Sequence, residues 1–366
     1  MDKPTMLTYI YSEQAKMLSI LDQYPLNIDK ALNKMPKDVN KILVLATGSS
    51  YNAALSSKYY FEKITNIQME IQEPYNYSHY EKIDKHIDAV IGISQSGQST
   101  ATIEALKKVK QDHPVFSIGV TSLPKTEISE ETDTILDILI GREHVGYVTL
   151  GFTATVLNMM LLAIRIAAVN HVITSEQELH EIQDLKKLAL NIDNVINKTE
   201  SFIKQHIDSL TKATQFTSIA YGPSVGTCSE MATKFSEVVR VPSQGFELEA
   251  FMHGPYLEVN KDHYIFFIET NSQKSIYEKE LSLKTYEKKY VSNLYTINFR
   301  EETSEDEKQL DLINIEDEYK VPFISSTVFQ LLAWYISKSK GIDLSKLIFT
   351  DFSTAVHNKT VPQKYV

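Results

Sequence analysis

One short segment constrains the fold of this chain more than any other. Residues 94–100 carry four hydroxyl side chains and a glycine, between an apolar run at 89–93 and helical periodicity at 103–109. Such an apolar run is typical of a buried parallel strand. The order strand, polar turn, helix favours anion binding, because the first amides of a helix lack intrahelical partners and the helix dipole adds positive charge. Gly97 would let the backbone approach a ligand closely.

The composition of this turn indicates which anion it would hold. One interpretation is that Ser99 or Thr100 merely caps the helix, but a cap needs one hydroxyl and this turn carries four. The turn is neither a P-loop nor a dinucleotide fingerprint, because the required Gly-Lys-Ser/Thr and Gly-x-Gly-x-x-Gly patterns are absent. Hydroxyls in place of a lysine suit a single phosphate with no bridging metal. We therefore expect a small phosphorylated metabolite, with no cofactor and no metal ion.

A second unit of the same kind lies upstream. An apolar strand at 42–47 runs into the polar turn 48–52, and helical periodicity follows over 53–63. Further strands are predicted at 68–71, 115–120 and 134–138. Two polar turns in one parallel sheet can meet at a topological switch point, where ligands bind outside the carboxyl ends of the strands. The pattern predicts a doubly wound α/β fold with the phosphate site at that point.

Bulk composition excludes several classes of protein. The chain has 366 residues, 43% of them hydrophobic, which predicts a globular protein of two domains. A net charge of −10 with no basic cluster argues against nucleic-acid binding. A single cysteine, Cys228, and an N-terminus without a signal pattern indicate a reducing cytoplasmic location. The apolar window 152–169 contains Arg165, and we expect a buried or subunit-packing helix there rather than a membrane span.

The strand-turn-helix plan appears twice, which indicates an internal duplication. We predict an N-terminal helical arm, a first α/β domain, a helical connector, a second α/β domain and a C-terminal tail, at 1–35, 36–172, 173–208, 209–345 and 346–366. The predicted strands of the second copy lie at 215–221, 264–268 and 292–297. Its turns are poorer in hydroxyls than those of the first copy, so we expect the phosphate in the first domain.

Three motifs carry a resemblance to a known family. The segments 46–52, 93–99 and 246–255 resemble the sugar isomerase (SIS) family. Within that family the chain is most similar to the isomerase half of glutamine:fructose-6-phosphate amidotransferases. It is also similar to fructosamine-phosphate deglycases and amino-sugar-phosphate deaminases. The resemblance covers nearly the whole chain and implies two tandem SIS domains, each a parallel sheet flanked by helices.

The resemblance also implies an activity. We expect an enzyme that acts on a hexose 6-phosphate bearing an amine, by deglycation or deamination with an enediol-type proton shift. The SIS-like region begins within about the first 40 residues of the sequence, and no glutaminase activity is expected. The family implies a homodimer with shared active sites, because the histidine of each site comes from the neighbouring subunit.

The family's substrate-binding residues fall on turns that have already been described. The implied phosphate contacts are Ser49, Ser50, Ser94, Gln95, Ser96 and Ser99. Thr149 corresponds to a substrate-contacting serine, although the match around it is loose.

The implied acid-base residues lie in the second domain. Glu237 would be the base for the proton shift, and His253, 16 residues later, the acid that opens the sugar ring. Lys234 would hold this glutamate or a substrate oxygen. Taken singly, a helical glutamate is usually solvated and a histidine before Gly-Pro is usually a turn residue. Only their joint occurrence with the motif at 246–255 favours catalysis.

A lysine near the C-terminus completes the implied site. In the synthases a tail lysine forms a Schiff base with the open-chain ketose, and Lys359 is its nearest counterpart, with Lys364 as a rival. Either could instead be an exposed tail residue. A substrate that already carries nitrogen needs no lysine imine, so Lys359 could also act without being a nucleophile.

Two other functions remain open. One is a simple aldose-ketose phosphate isomerase, which would show turnover without release of an amine. The other is a non-catalytic regulator that binds a sugar phosphate, in which replacement of Glu237 would change no turnover.

Overall fold

The computed structural model describes residues 3–362. The described residues form two compact units. The first contains the residues up to 189 together with those from 346 onward, and the second contains residues 190–345.

The first unit is built on a five-stranded parallel sheet. Its strands are β1 (Lys41–Leu45), β2 (Gln68–Gln72), β3 (Ala89–Ile93), β4 (Phe116–Thr121) and β5 (Thr134–Asp137). Their order is β2-β1-β3-β4-β5. Strand β3 is buried at every position, which explains why it reads as a continuous apolar run rather than an alternating one.

Helices cover this sheet. They are α1 (Met6–Tyr11), α2 (Glu13–Asp22), α3 (Leu26–Leu32), α4 (Ser49–Thr65), α5 (Pro74–Tyr80), α6 (Thr100–Asp112), α7 (Leu150–Val169) and α8 (Ser175–Leu190). The segment predicted as an arm, 1–35, contributes to the core of the unit, because Ile10 and Met17 are fully buried.

The long apolar helix α7 is a core helix of the first unit. It is long and apolar enough to cross a membrane, but 83% of its most apolar window is buried. The helix packs against α4, and Arg165 near its end pairs with Asp29 at 2.6 Å and with Glu178 at 3.1 Å. Its hydropathy therefore reflects burial inside an α/β layer.

The second unit repeats the plan. Its strands are β6 (Phe216–Ala220), β7 (Ser243–Glu247), β8 (Tyr264–Glu269), β9 (Asn293–Asn298) and β10 (Gln309–Asp311). Its helices are α9 (Ile192–Leu210), α10 (Val225–Lys234), α11 (Leu248–Met252), α12 (Lys274–Glu287) and α13 (Pro322–Ser339). A π-helical turn, Phe235–Val239, continues α10. A last short helix, α14 (Phe352–Val356), belongs to the first unit.

The two sheets have the same topology, which confirms the predicted fold class. The second sheet has the order β10-β9-β8-β6-β7, which is the order of the first sheet read from the opposite edge. The connector predicted at 173–208 contains α8 and most of α9, and the division between the units falls at the end of α8, after Ala189.

The sequence prediction missed the three-residue strand β10 and the longer strand β7. This strand is only partly buried and carries Gly245, where a side chain is sterically excluded, because a Cβ atom would lie 2.3 Å from the backbone oxygen of Cys228. Polar, glycine-containing edge strands lack the apolar signal that marks the central ones.

Candidate functional site

The polar turns of the first unit meet where its strand order reverses. Strands β1 and β3 are neighbours, with Leu45 opposite Gly92, and their connections leave to opposite sides of the sheet. Helix α4 begins at Ser49 just after β1, and α6 begins at Thr100 just after β3. The structure therefore brings Ser49, Ser50 and the turn 94–99 to one edge of the sheet, at a switch point of the type that binds ligands.

The turn after β3 is fixed from within. The Ser99 amide donates to Ser94 Oγ at 3.3 Å, and the Gln98 amide donates to Ser96 Oγ at 3.4 Å. Gly97 has a φ of +66°, and a Cβ atom there would lie 1.8 Å from Thr126 Oγ1. Ser99 occupies the position before α6, but its side chain caps no helix amide. Simple capping therefore does not account for the hydroxyls.

Gln95 is held on both its backbone and its side chain. Its carbonyl accepts hydrogen bonds from the Ser122 amide at 3.0 Å and the Ser122 hydroxyl at 2.8 Å. Its Nε2 donates to Glu143 at 3.0 Å. The same Glu143 accepts from the amide and hydroxyl of Thr149, at 3.0 and 2.6 Å. Thr149 is fully buried and its hydroxyl proton is donated to Glu143, so this hydroxyl could serve a substrate only as an acceptor.

The tail returns to the same turn. Lys359 forms an antiparallel bridge with Ser99, and its Nζ donates to Ser96 Oγ at 3.1 Å. Burial lowers the pKa of the Lys359 amine below its ordinary value. The structure therefore places an amine of reduced basicity on a serine of the predicted phosphate turn. The rival Lys364 lies outside the described residues.

In the second unit, a buried lysine organises the predicted base. Lys234, at the end of α10, is 1% exposed and lies 3.5 Å from Glu230 and 2.8 Å from Glu237. Glu237 lies one turn further on, in the π-helical segment, and its side chain is 40% exposed. An ammonium between two carboxylates offsets the cost of burying each charge. Glu237 thus presents a fixed but accessible carboxylate.

His253 lies on the surface of the second unit. It follows α11, and its side chain is 73% exposed. Its Nε2 lies 3.1 Å from Glu249, which also forms an ion pair with Lys279. The imidazole is therefore oriented by a carboxylate while its ring remains accessible to solvent.

Several residues at these sites were not anticipated from the sequence. Glu127 contacts both the turn and the tail, and Thr126 packs beneath Gly97. Glu143 accepts hydrogen bonds from both Gln95 and Thr149. None of these positions lies in a periodic segment, and their roles depend on contacts between distant parts of the chain. Among residues 3–362, no group of three His, Cys, Asp or Glu side chains is placed to hold a metal ion.

Comparison with known proteins matches the first unit to a domain family and the whole chain to larger enzymes. Residues 37–165, within the first unit, match the SIS domain family. The glutamine–fructose-6-phosphate aminotransferase (isomerizing) of Methanosarcina acetivorans is 25% identical over 323 residues, covering 87% of this chain and 52% of that protein. The chain thus spans about half the length of such relatives.

Solved structures share the whole architecture. A protein from Clostridium difficile 630, described as a candidate phosphosugar isomerase, superposes with a TM-score of 0.87 at 25% identity, covering 96% of this chain and 98% of that one. Glucosamine-6-phosphate deaminase from Thermotoga maritima has a TM-score of 0.75 at 19% identity, with 99% of each chain covered. The latter similarity concerns the fold alone. Sequence motifs, sheet topology and these comparisons agree: residues 37–165 match the SIS domain family, and the chain as a whole resembles proteins that carry this domain.

Proposed function

We propose that this protein is a phosphosugar-processing enzyme whose substrate is a hexose 6-phosphate bearing an amine. It would act as a fructosamine-6-phosphate deglycase or an amino-sugar-6-phosphate deaminase. The observation that carries the proposal is the hydrogen bond between Lys359 Nζ and Ser96 Oγ, at 3.1 Å. It joins a candidate catalytic amine to the turn that is best suited to a phosphoryl group.

The first step is capture of the phosphate. The net charge of −10 gives the protein no long-range attraction for an anion. Binding therefore depends on the local donors, which are the first amides of α4 and α6 and the hydroxyls of Ser49, Ser50, Ser94, Ser96 and Ser99. Gln95, oriented by Glu143, and Thr149 would contribute to the walls of the substrate site.

The second step is chemistry at the sugar carbons. With its pKa lowered by burial, Lys359 has a larger neutral fraction than an exposed lysine. A neutral amine can accept a proton, or it can add to the carbonyl carbon of an open-chain ketose. In the latter reaction the carbonyl oxygen leaves as water, and a protonated imine remains.

We assign the proton transfer to Glu237 and ring opening to His253. Glu237 is accessible and is oriented by Lys234 at 2.8 Å, as a general base requires. His253 is accessible and oriented by Glu249. We further propose a homodimer with shared active sites in the cytoplasm. The presence of only one cysteine, Cys228, supports the location, because disulfide frameworks are typical of secreted proteins.

A substrate panel tests the reaction. Purified full-length protein is incubated with glucosamine 6-phosphate, fructosamine 6-phosphate and fructose 6-phosphate, and released amine and aldose-ketose conversion are measured separately. We expect amine release, reduced about 10²–10⁴-fold in Glu237→Gln. Conversion without amine release would favour the simple isomerase. Binding without turnover, unaffected by Glu237→Gln, would favour a regulator.

A mixing experiment tests the shared site. Glu237→Gln and His253→Asn proteins, each inactive alone, are unfolded and refolded together. If the two residues come from different subunits of a dimer, about a quarter of wild-type activity should return, because half of the dimers are mixed and each regains one site. No recovery would contradict the shared site and leave the assignment of the reaction intact.

A further inference from the structure

The tail segment 358–360 contacts the turn 94–99, which we call the phosphate turn. Several of these contacts do not involve Lys359. The Thr360 amide donates to the Gln98 carbonyl at 3.0 Å, and the Thr100 amide donates to the Asn358 carbonyl at 3.3 Å. The Thr360 hydroxyl donates to Glu127 Oε1 at 2.9 Å. Glu127 is thus a side chain outside both segments that contacts the tail.

Glu127 is also attached to the turn. Its Oε2 accepts a hydrogen bond from Gln98 Nε2 at 3.1 Å. It begins a short 3₁₀ turn, Glu127–Glu130, in which the Ile128 amide donates to the Gly97 carbonyl at 3.1 Å. One carboxylate therefore receives a donor from the turn and a donor from the tail, and its own backbone is anchored beside both.

The charge of Glu127 strengthens these contacts. Burial acts to raise the pKa of its carboxyl, but donation from its own amide, Gln98 and Thr360 outweighs burial, and the pKa is lowered. The ionised carboxylate forms charge-assisted hydrogen bonds, which are stronger than neutral ones.

The register of the tail decides where its lysine points. In an extended segment, successive side chains face opposite sides, and a slip of one residue exchanges them. Thr360 faces Glu127 and Lys359 faces Ser96. The two backbone hydrogen bonds of the bridge hold this register, and the bond from Thr360 to Glu127 adds a side-chain contact that a slipped register would lose.

We propose that Glu127 is a positioning residue that holds the tail in register on the phosphate turn, and so sets the position of the Lys359 amine. The catalytic part of this inference rests on the proposed function. The structural part, the attachment of the tail, can be measured without any substrate.

The test compares wild-type protein with Glu127→Gln, which keeps the shape of the side chain but directs an NH₂ group at one of its two donors. Amide hydrogen exchange of the segment 358–361 is measured together with kcat and KM. We expect exchange about tenfold faster and kcat about tenfold lower, as loss of a charge-assisted bond implies, with KM changed less than twofold. A merely structural role would lower thermal stability without this separation of kcat from KM.

Two further variants sharpen the test. Gln98→Glu in the Glu127→Gln background reverses the donor and acceptor of the pair, and we expect it to restore most of the exchange protection of the tail. Glu130→Gln removes an exposed carboxylate from the same 3₁₀ turn and should change neither.

The outcomes separate the two proposals. Unchanged exchange and unchanged kcat in Glu127→Gln would overturn the positioning role. Wild-type protein that turns over no sugar phosphate would refute the proposed function, and the exchange measurement would still decide whether Glu127 holds the tail.

Discussion

The two sheets have the same strand order, but their switch points differ in what reaches the turn after the third strand. In the first unit this turn is contacted by the side chain of Lys359, which lies in the C-terminal tail. In the second unit it is contacted by Tyr221, which directly follows β6. The Thr270 amide and the Ser272 hydroxyl donate to the Tyr221 phenol oxygen at 3.2 and 3.1 Å. The turn of the first unit is thus held by a segment distant in sequence, whereas the turn of the second unit is held by a residue that directly follows a neighbouring strand of the same sheet.

The surroundings of the two turns differ as well. Near Tyr221, α12 turns Glu280 and Lys284 into the interior, and Lys284 forms a buried ion pair with Glu269. Glu280 is fully buried, and among residues 3–362 no donor lies at hydrogen-bond geometry to either of its carboxyl oxygens. Burial, and then the charge of Glu280, raises the pKa of Tyr221 to about 12.

This difference shows how a duplicated fold can divide its roles. The first copy places exchangeable donors, serine hydroxyls and a tail amine, at its switch point. The second copy joins its equivalent turn to a buried phenol that cannot leave without disrupting the core. We therefore expect substitutions around the turn 94–99, the first region, to alter ligand binding. Substitutions around Tyr221, the second region, should alter the free energy of unfolding.

The largest effect is expected from Lys284→Met in the second region. Removing the ammonium leaves Glu269 buried without its partner, beside Glu280, and breaking a buried ion pair typically costs about 3–5 kcal/mol. Denaturant unfolding measures the loss. Lys288→Met removes a half-exposed lysine 3.5 Å from Asp306 and should cost less than about 1 kcal/mol. Similar losses in both variants would contradict the role of the buried pair.

The next effect is expected from Gly97→Ala in the first region. The new Cβ would collide with Thr126, and φ is +66°, so the turn must rearrange. We expect fructose 6-phosphate to bind about 100-fold more weakly, equivalent to about 2.7 kcal/mol, by isothermal titration calorimetry. Gly141 has a similar φ of +67°, but a Cβ atom at this position would have no atom of another described residue within 4 Å, apart from its chain neighbours. Gly141→Ala should therefore show backbone strain without loss of binding.

Tyr221→Phe should have a smaller effect, confined to stability. It leaves the Thr270 amide and the Ser272 hydroxyl without their acceptor, which typically costs about 1–3 kcal/mol. Sugar-phosphate affinity should remain within twofold of wild type. Tyr256→Phe, at a partly exposed position, should change stability by less than about 0.5 kcal/mol. Loss of affinity in Tyr221→Phe alone would show that the second region also serves the ligand.

The smallest effect is expected from Glu280→Gln, and it should depend on pH. Burial, and then the negative charge of Glu269, raises the pKa of Glu280 well above its usual range. The folded state therefore holds this proton more tightly than the unfolded state, so the associated stability is full at acid pH and is lost as the pH rises. We expect the variant to gain thermal stability relative to wild type between pH 5 and pH 8.

Each ~1 kcal/mol gained in the free energy of unfolding should raise Tm by about 2–4 °C. Glu278→Gln, on the exposed face of the same helix, should show no such trend with pH. A gain that is the same at both pH values would mean that Glu280 is not the group that titrates.

The regular parts of the fold could be predicted from the sequence because their signals are local. The buried strands β1, β3 and β8 are apolar runs, and the hydroxyl turn after β3 is contiguous. The resemblance to the family also predicted which residues of that turn would contact a substrate. Strand β7 lacked such a signal, because it is polar and lies at the edge of its sheet.

The candidate site required the tertiary structure wherever its parts are distant in sequence. The serines were evident as a motif, and Lys359 was one of two tail candidates. Its contact with Ser96, the attachment through Glu127 and the link between Gln95 and Glu143 follow from no periodicity. A hydrogen bond between residues far apart depends on where the backbone carries each of them. The sequence determined the two α/β repeats and the hydroxyl-rich turn after β3 through local patterns of polarity, whereas folding decided which side chain meets each turn, because only packing sets those distances.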